Sequence, residues 1–161
     1  MGVLLRLTKQ TVWSGAPADA ARRDEAVKTF QRREEDTDGL SVYEIENDAE
    51  RELVIAAVAC DRLNEKKPID LLEVPRELVE RYGAIEVTEG TTHVPAANKL
   101  HRSLDWDAAT LEHLAESLFE AQATARRYRA ADIRAAVRKL DVEAVVGEEV
   151  KAFVRDLKAK A

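Results

Sequence analysis

A chain of 161 residues with 45% hydrophobic and 35% charged side chains fits one folded domain, long enough to bury a core without a covalent staple. Its lone cysteine, Cys60, excludes an intrachain disulfide and any cysteine-paired metal spacing, and suits a reducing cytoplasm. The net charge of −6 is uneven: residues 1–120 hold 15 basic and 25 acidic side chains, residues 121–161 hold 10 and 6. The acidic body argues against broad nucleic-acid binding, and the basic tail leaves a local exception.

Aromatic residues make up 5% of the chain, and alanine fills much of the rest, which points to helices packed through small side chains. The start, MGVLLRLTKQ, has too short an apolar run for a signal peptide. No stretch approaches the roughly 20 apolar residues of a membrane helix.

In chain order, VLLRL is a candidate first strand, and SGAPADAARRDEAV reads as a loop and then a short helix over residues 19–30. The glycine of DTDG marks a turn, and LSVYEI alternates as a strand. NDAERELVIAAVACDRLN is the clearest early helix, capped by Asn47 or Asp48, with Leu53, Val54, Ala57, Val58 and Leu63 on its apolar face. IDLLEV reads as a strand, RELVERYG as a helix that Pro75 opens and Gly83 stops, and AIEVTEG as a short strand.

TTHVPAANKLHRSL shows no periodicity and reads as loop. DWDAATLEHLAESLFEAQATARRYR reads as the longest helix, with Leu111, Leu114, Ala115, Leu118 and Phe119 as its buried stripe. AADIRAAVRKL and GEEVKAFVRDLKAK are two further amphipathic helices. The expected architecture is α+β: a small, short-stranded sheet packed with helices, covered on one side, and followed by an all-helical C-terminal segment. The chain is expected to form a single domain, mixed over residues 1–104 and helical over 105–161.

Four acids, Glu34, Glu35, Asp36 and Asp38, crowd the turn before the second strand. The calcium-loop pattern fails there because Leu40 stands at the next alternate position, so the favoured reading is a solvated acidic turn after Arg32 and Arg33. His93 and His101 share the irregular segment with Asn98, Lys99, Arg102 and Ser103, where a base beside an anion-holding cation would serve hydrolysis or nucleotide chemistry. Their spacing matches no metal motif, and His113 lies beside the stripe of the long helix. Cys60 sits on an apolar helix and reads as a buried structural thiol.

ARRYRAADIRAAVRKL carries Arg126, Arg127, Arg129, Arg134 and Arg138. These arginines suit phosphate contacts, or the C-terminal end of a helix whose start is acidic, or an acidic partner. Trp13 reads as an interface anchor or as a plug at the core edge.

No phosphate loop, nucleophile elbow or dinucleotide fingerprint occurs. The leading expectation is a bacterial, cytoplasmic, non-enzymatic interaction protein that needs no cofactor or metal. It would dock on a protein partner or on itself through a basic C-terminal helical face, with Trp13, Arg126, Arg127, Arg129, Arg134 and Arg138 as contacts. The alternatives are a small hydrolytic or nucleotide-handling enzyme using His93, His101 and Arg102 in the 91–106 loop, and a nucleic-acid-binding regulator.

Overall fold

The computed structural model describes residues 2–13, 20–32 and 39–160. The acidic turn Glu34, Glu35, Asp36 and Asp38 therefore lies outside the described residues. The fold is α+β, with a six-stranded antiparallel sheet, seven α-helices and a helical C-terminal segment among the described residues.

The strands are β1 (Val3–Thr8), β2 (Leu40–Ile45), β3 (Ile69–Pro75), β4 (Glu86–Val87), β5 (His101–Leu104) and β6 (Ala125–Tyr128), in the order β4-β5-β2-β1-β3-β6. The helices are α1 (Ala20–Lys28), α2 (Asp48–Arg62), α3 (Arg76–Glu80), α4 (Pro95–Asn98), α5 (Ala108–Glu120), α6 (Ala130–Arg138) and α7 (Glu148–Ala159). Among the described residues, no helix is long and apolar enough to cross a membrane.

The chain divides into two compact units, each built from three separated stretches. Unit one comprises Met1–Glu44, Asp70–Val87 and Arg102–Arg126, and it holds most of the sheet. Its core gathers Leu4, Leu40, Val42, Leu72 and Val74 from the strands with Leu111, Leu114, Ala115 and Leu118 from α5. β1 and β3 run antiparallel with Leu4 opposite Val74 and Leu7 opposite Leu71. Successive strand residues point to opposite faces. Leu4 and Leu5 are both buried, and so are Leu71 and Leu72, so the central strands are covered on both faces. This corrects the one-sided sheet expected from the sequence.

Unit two comprises Ile45–Ile69, Thr88–His101 and Arg127–Ala161. In it α2 packs on α4, α6 and α7, and α6 packs on α7. The buried residues of α2 include Ala56, Ala57 and Ala59, and α6 contributes Ala136, which places the abundant alanine in helix contacts. Asn47 caps α2 by accepting from the Glu50 amide at 2.9 Å. Two cations close the helix ends of this unit. Arg138 of α6 donates to the Leu157 and Lys160 carbonyls at 2.9 and 3.0 Å, and Lys158 of α7 donates to the Arg138 carbonyl at 2.9 Å.

Cys60 is fully buried in α2. Burial, and then the neighbouring charge of Asp61, pushes its thiol up to about 12. The nucleophile is the thiolate, so a thiol reagent at pH 8 is expected to leave the native protein unlabelled and to react fully once the chain unfolds. The raised value has a sign in stability. The protonated thiol favours the fold below the ordinary thiol value of 9.0, and that contribution is lost as pH rises from there toward about 12. Rapid labelling of the folded chain at pH 8 would contradict the buried placement.

Two further expectations need correction. The long helix read through residue 129 stops at Glu120 and is followed by β6. The segment read as loop over residues 91–104 contains α4, opened by Pro95 at its first position, and β5.

Candidate functional site

The five C-terminal arginines do not share one helical face. Arg126 and Arg127 lie on β6, at one end of the strand order, where charged side chains discourage pairing with a foreign strand. Arg126 is exposed and Arg127 half-buried between the buried Ala125 and Tyr128. Arg129 is the exposed N-cap residue of α6, and its amide donates to Asp132 Oδ2 at 3.0 Å. Arg134 is half-buried within α6, and Arg138 is committed to the carbonyls of α7. The dipole reading, in which Arg126 and Arg127 end the long helix, falls with the helix boundary.

Many cations of the chain are matched by carboxylates within their own unit. Arg23 meets Glu116 and Glu120, Arg32 meets Asp105, and Lys139 meets Glu52. Among the described residues, the Arg129 and Arg134 side chains have no ion-pair partner, a trait they share with Arg62, Arg81 and Arg155. Both belong to unit two and stand at the start and middle of one helix.

Trp13 is fully buried in unit one. Its ring meets Phe30 and Phe119 edge-on at 5.8 and 6.1 Å, and its Nε1–H donates to Thr29 Oγ1 at 3.2 Å. In this structure it is the core plug of the two readings above.

The histidines occupy an ordered segment. Asn98, buried, accepts from the Thr92 amide at 2.9 Å and the Thr92 hydroxyl at 2.6 Å, and it donates to the Thr92 carbonyl at 3.0 Å. Gly90 lies close against Asn98 and His101, its amide bonded to the Asn98 carbonyl at 3.0 Å. His101 Nδ1 shares a hydrogen bond with Thr88 Oγ1 at 2.8 Å.

His93 is exposed and anchored on α2. Asp61 Oδ1 accepts from its backbone amide at 3.1 Å and from its Nδ1 at 2.7 Å, so Nδ1 carries the proton. The Val146 amide donates to the His93 carbonyl at 2.9 Å. Asp61 is the residue that sequence reasoning missed here. It lies 32 positions away, on the last turn of α2, and no local pattern connects the two.

Arg102 belongs to a different constellation, inside unit one. Glu44 of β2 is buried between two guanidinium groups, accepting from Arg102 Nε at 2.8 Å and from Arg76 Nη1 at 2.6 Å. Arg76 also donates to Glu80 at 2.8 Å. The charge of Glu44, with a smaller part from Glu80, raises the Arg76 pKa against a partial loss from desolvation. A buried carboxylate without such partners would be costly, so this pairing joins β2, β5 and α3.

Among the described residues, no group of three or more His, Cys, Asp and Glu side chains is placed to hold a metal ion. Comparison with protein-family models, with curated proteins and with solved structures gives no match.

Proposed function

We propose that the chain is a non-enzymatic protein-interaction module that docks on an acidic protein surface through the start of α6. The observation that carries this reading is the pair Arg129 and Arg134, two cations of one helix without an ion-pair partner among the described residues. Charge complementarity at a protein surface steers encounter and fixes partner choice, and it weakens with salt. Arg126 and Arg127 precede this helix and extend the basic stretch along the chain. The bacterial, cytoplasmic setting of this reading rests on the alanine- and arginine-rich composition and the lone cysteine.

Replacing Arg129 and Arg134 by alanine is expected to weaken partner binding about three- to tenfold at low salt and to flatten its salt dependence. Titration calorimetry with the captured partner measures both. Unchanged affinity and slope would remove the proposal.

A second reading draws on His93. An imidazole whose Nδ1–H is held by a carboxylate presents Nε2 as a base, the orienting half of a hydrolytic dyad. It favours a small hydrolase, with Asp61 as the positioning residue. Ester hydrolysis that survives in His93→Gln would dismiss this reading.

A further inference from the structure

We infer that the acidic surface on which α6 docks is carried by a second copy of this chain, on the loop that leads into α7. The inference rests on the docking role of α6 and names its partner. Both surfaces belong to unit two, whose charges nearly cancel. Ile45–Ile69, Thr88–His101 and Arg127–Ala161 together hold 14 basic and 13 acidic side chains. Charges that balance but are sorted into patches let a surface attract its own copies. The net charge of −6 on the whole chain opposes this only weakly, because charges beyond about 10 Å are largely screened at 0.1 M salt.

Between α6 and α7 the chain runs DVEAVVGEEV over residues 141–150. Asp141, Glu143, Glu148 and Glu149 are all exposed. Among the described residues, the cation paired with them is Lys151, whose Nζ lies 3.6 Å from Glu143 and 4.0 Å from Glu148. Val146 stands between these acids in the sequence and is 57% exposed, while Val145 and Val150 are buried. Its backbone is fixed from two sides. The Val146 amide donates to the His93 carbonyl at 2.9 Å, and Gly147, with φ of +97°, turns the chain into α7. An exposed apolar side chain with carboxylates around it has the make-up of a small interface, an apolar centre with a charged rim.

The start of α6 offers the opposite charge. Arg129 is exposed at the N-cap and Arg134 half-buried one turn on. A helix start favours anions, so a guanidinium at the cap does not serve the stability of the helix itself. Among the described residues, no ion pair joins Arg129 or Arg134 to the 141–149 loop of the same copy. A guanidinium and a carboxylate form charge-assisted hydrogen bonds, and the loop of a second copy supplies the carboxylates.

Sedimentation of the full chain tests this over about 0.01–1 mM protein, the range of a weak contact, at about 0.1 and 0.5 M salt. At the lower salt the weight-average mass is expected to climb with concentration toward at least about twice that of the monomer, and at the higher salt to stay monomeric. The double variants Arg129→Glu, Arg134→Glu and Glu143→Lys, Glu149→Lys should each stay monomeric alone, because like charges then face one another. An equimolar mixture of the two should associate again, a recovery that requires both to be folded. Wild type that is monomeric at every concentration would overturn the inference, and so would a mixture that stays monomeric. A monomeric chain that still retains lysate proteins through Arg129 and Arg134 would leave the α6 docking in place with another acidic protein as partner. Loss of both would remove the docking itself.

Discussion

Gly39→Ala is expected to destabilise the protein by about 4 kcal/mol, the sum of a backbone cost and a clash. Gly39 has φ of +112°, a conformation that residues with a Cβ rarely adopt. A Cβ there would stand 2.7 Å from the Leu104 carbonyl oxygen and 2.8 Å from the Asp105 backbone. Both obstacles are main chain and cannot swing aside. Gly147 is the control, with φ of +97° and its nearest neighbour, His93 Cδ2, at 3.6 Å. Gly147→Ala meets the backbone cost without the clash and should lose about 1–2 kcal/mol. Thermal unfolding of the two variants separates the effects, with a midpoint fall on the order of 10 °C expected for Gly39→Ala. Equal shifts would show that the close approach to β5 contributes nothing.

Trp13→Ala is expected to cost about 3–5 kcal/mol, the range for deleting a buried aromatic ring. The ring is fully buried, touches Phe30 and Phe119, and has its N–H satisfied by Thr29. Trp13→Phe keeps most of the apolar volume and gives up the hydrogen bond, so a loss of about 1–2 kcal/mol is expected. Denaturant unfolding of both variants checks the order. A Trp13→Ala protein as stable as wild type would return this residue to the surface and to the list of contacts.

Much of the strand and helix pattern was legible because it rests on local alternation and caps. LSVYEI, IDLLEV and the Asn47 cap became β2, β3 and the start of α2. The stop of α2 was read to within two residues, whereas the stop of α5 was hidden for a definite reason. Helices commonly end on a glycine in the left-handed conformation, with characteristic amide-to-carbonyl bonds. Here Leu63 and Gln122 take that place, with φ of 50° and 57°. Asn64 and Ala123 then bond back to the Ala59 and Leu118 carbonyls at 3.3 and 3.0 Å. Without a glycine, the pattern of α5 reads straight on into β6, and Arg126 and Arg127 are assigned to the wrong element. Leu63, placed on the buried stripe of α2 by its spacing, is 41% exposed at the cap.

The site residues were legible one at a time and not as pairs. His93 stood out in its segment, but Asp61, which orients it, lies 32 positions away on α2. Arg102 stood out as an anion-binding cation, but its anion is Glu44, 58 positions earlier. Such pairs are made by tertiary packing, and residue type alone does not announce them. Arg23, Arg32, Arg76 and Arg102 are matched within their own unit, whereas Arg129 and Arg134, like Arg62, Arg81 and Arg155, have no ion pair among the described residues. What sets Arg129 and Arg134 apart is their place on α6 directly after Arg126 and Arg127.

The most direct test is capture from a host lysate by the immobilised chain, run in parallel with wild type and the Arg129→Glu, Arg134→Glu double variant. Low and high salt are compared, with identification by mass spectrometry. The expected result is a protein retained by wild type at low salt, released at high salt, and absent from the charge-reversed variant at either. Retention of the same proteins by the variant would contradict docking through α6.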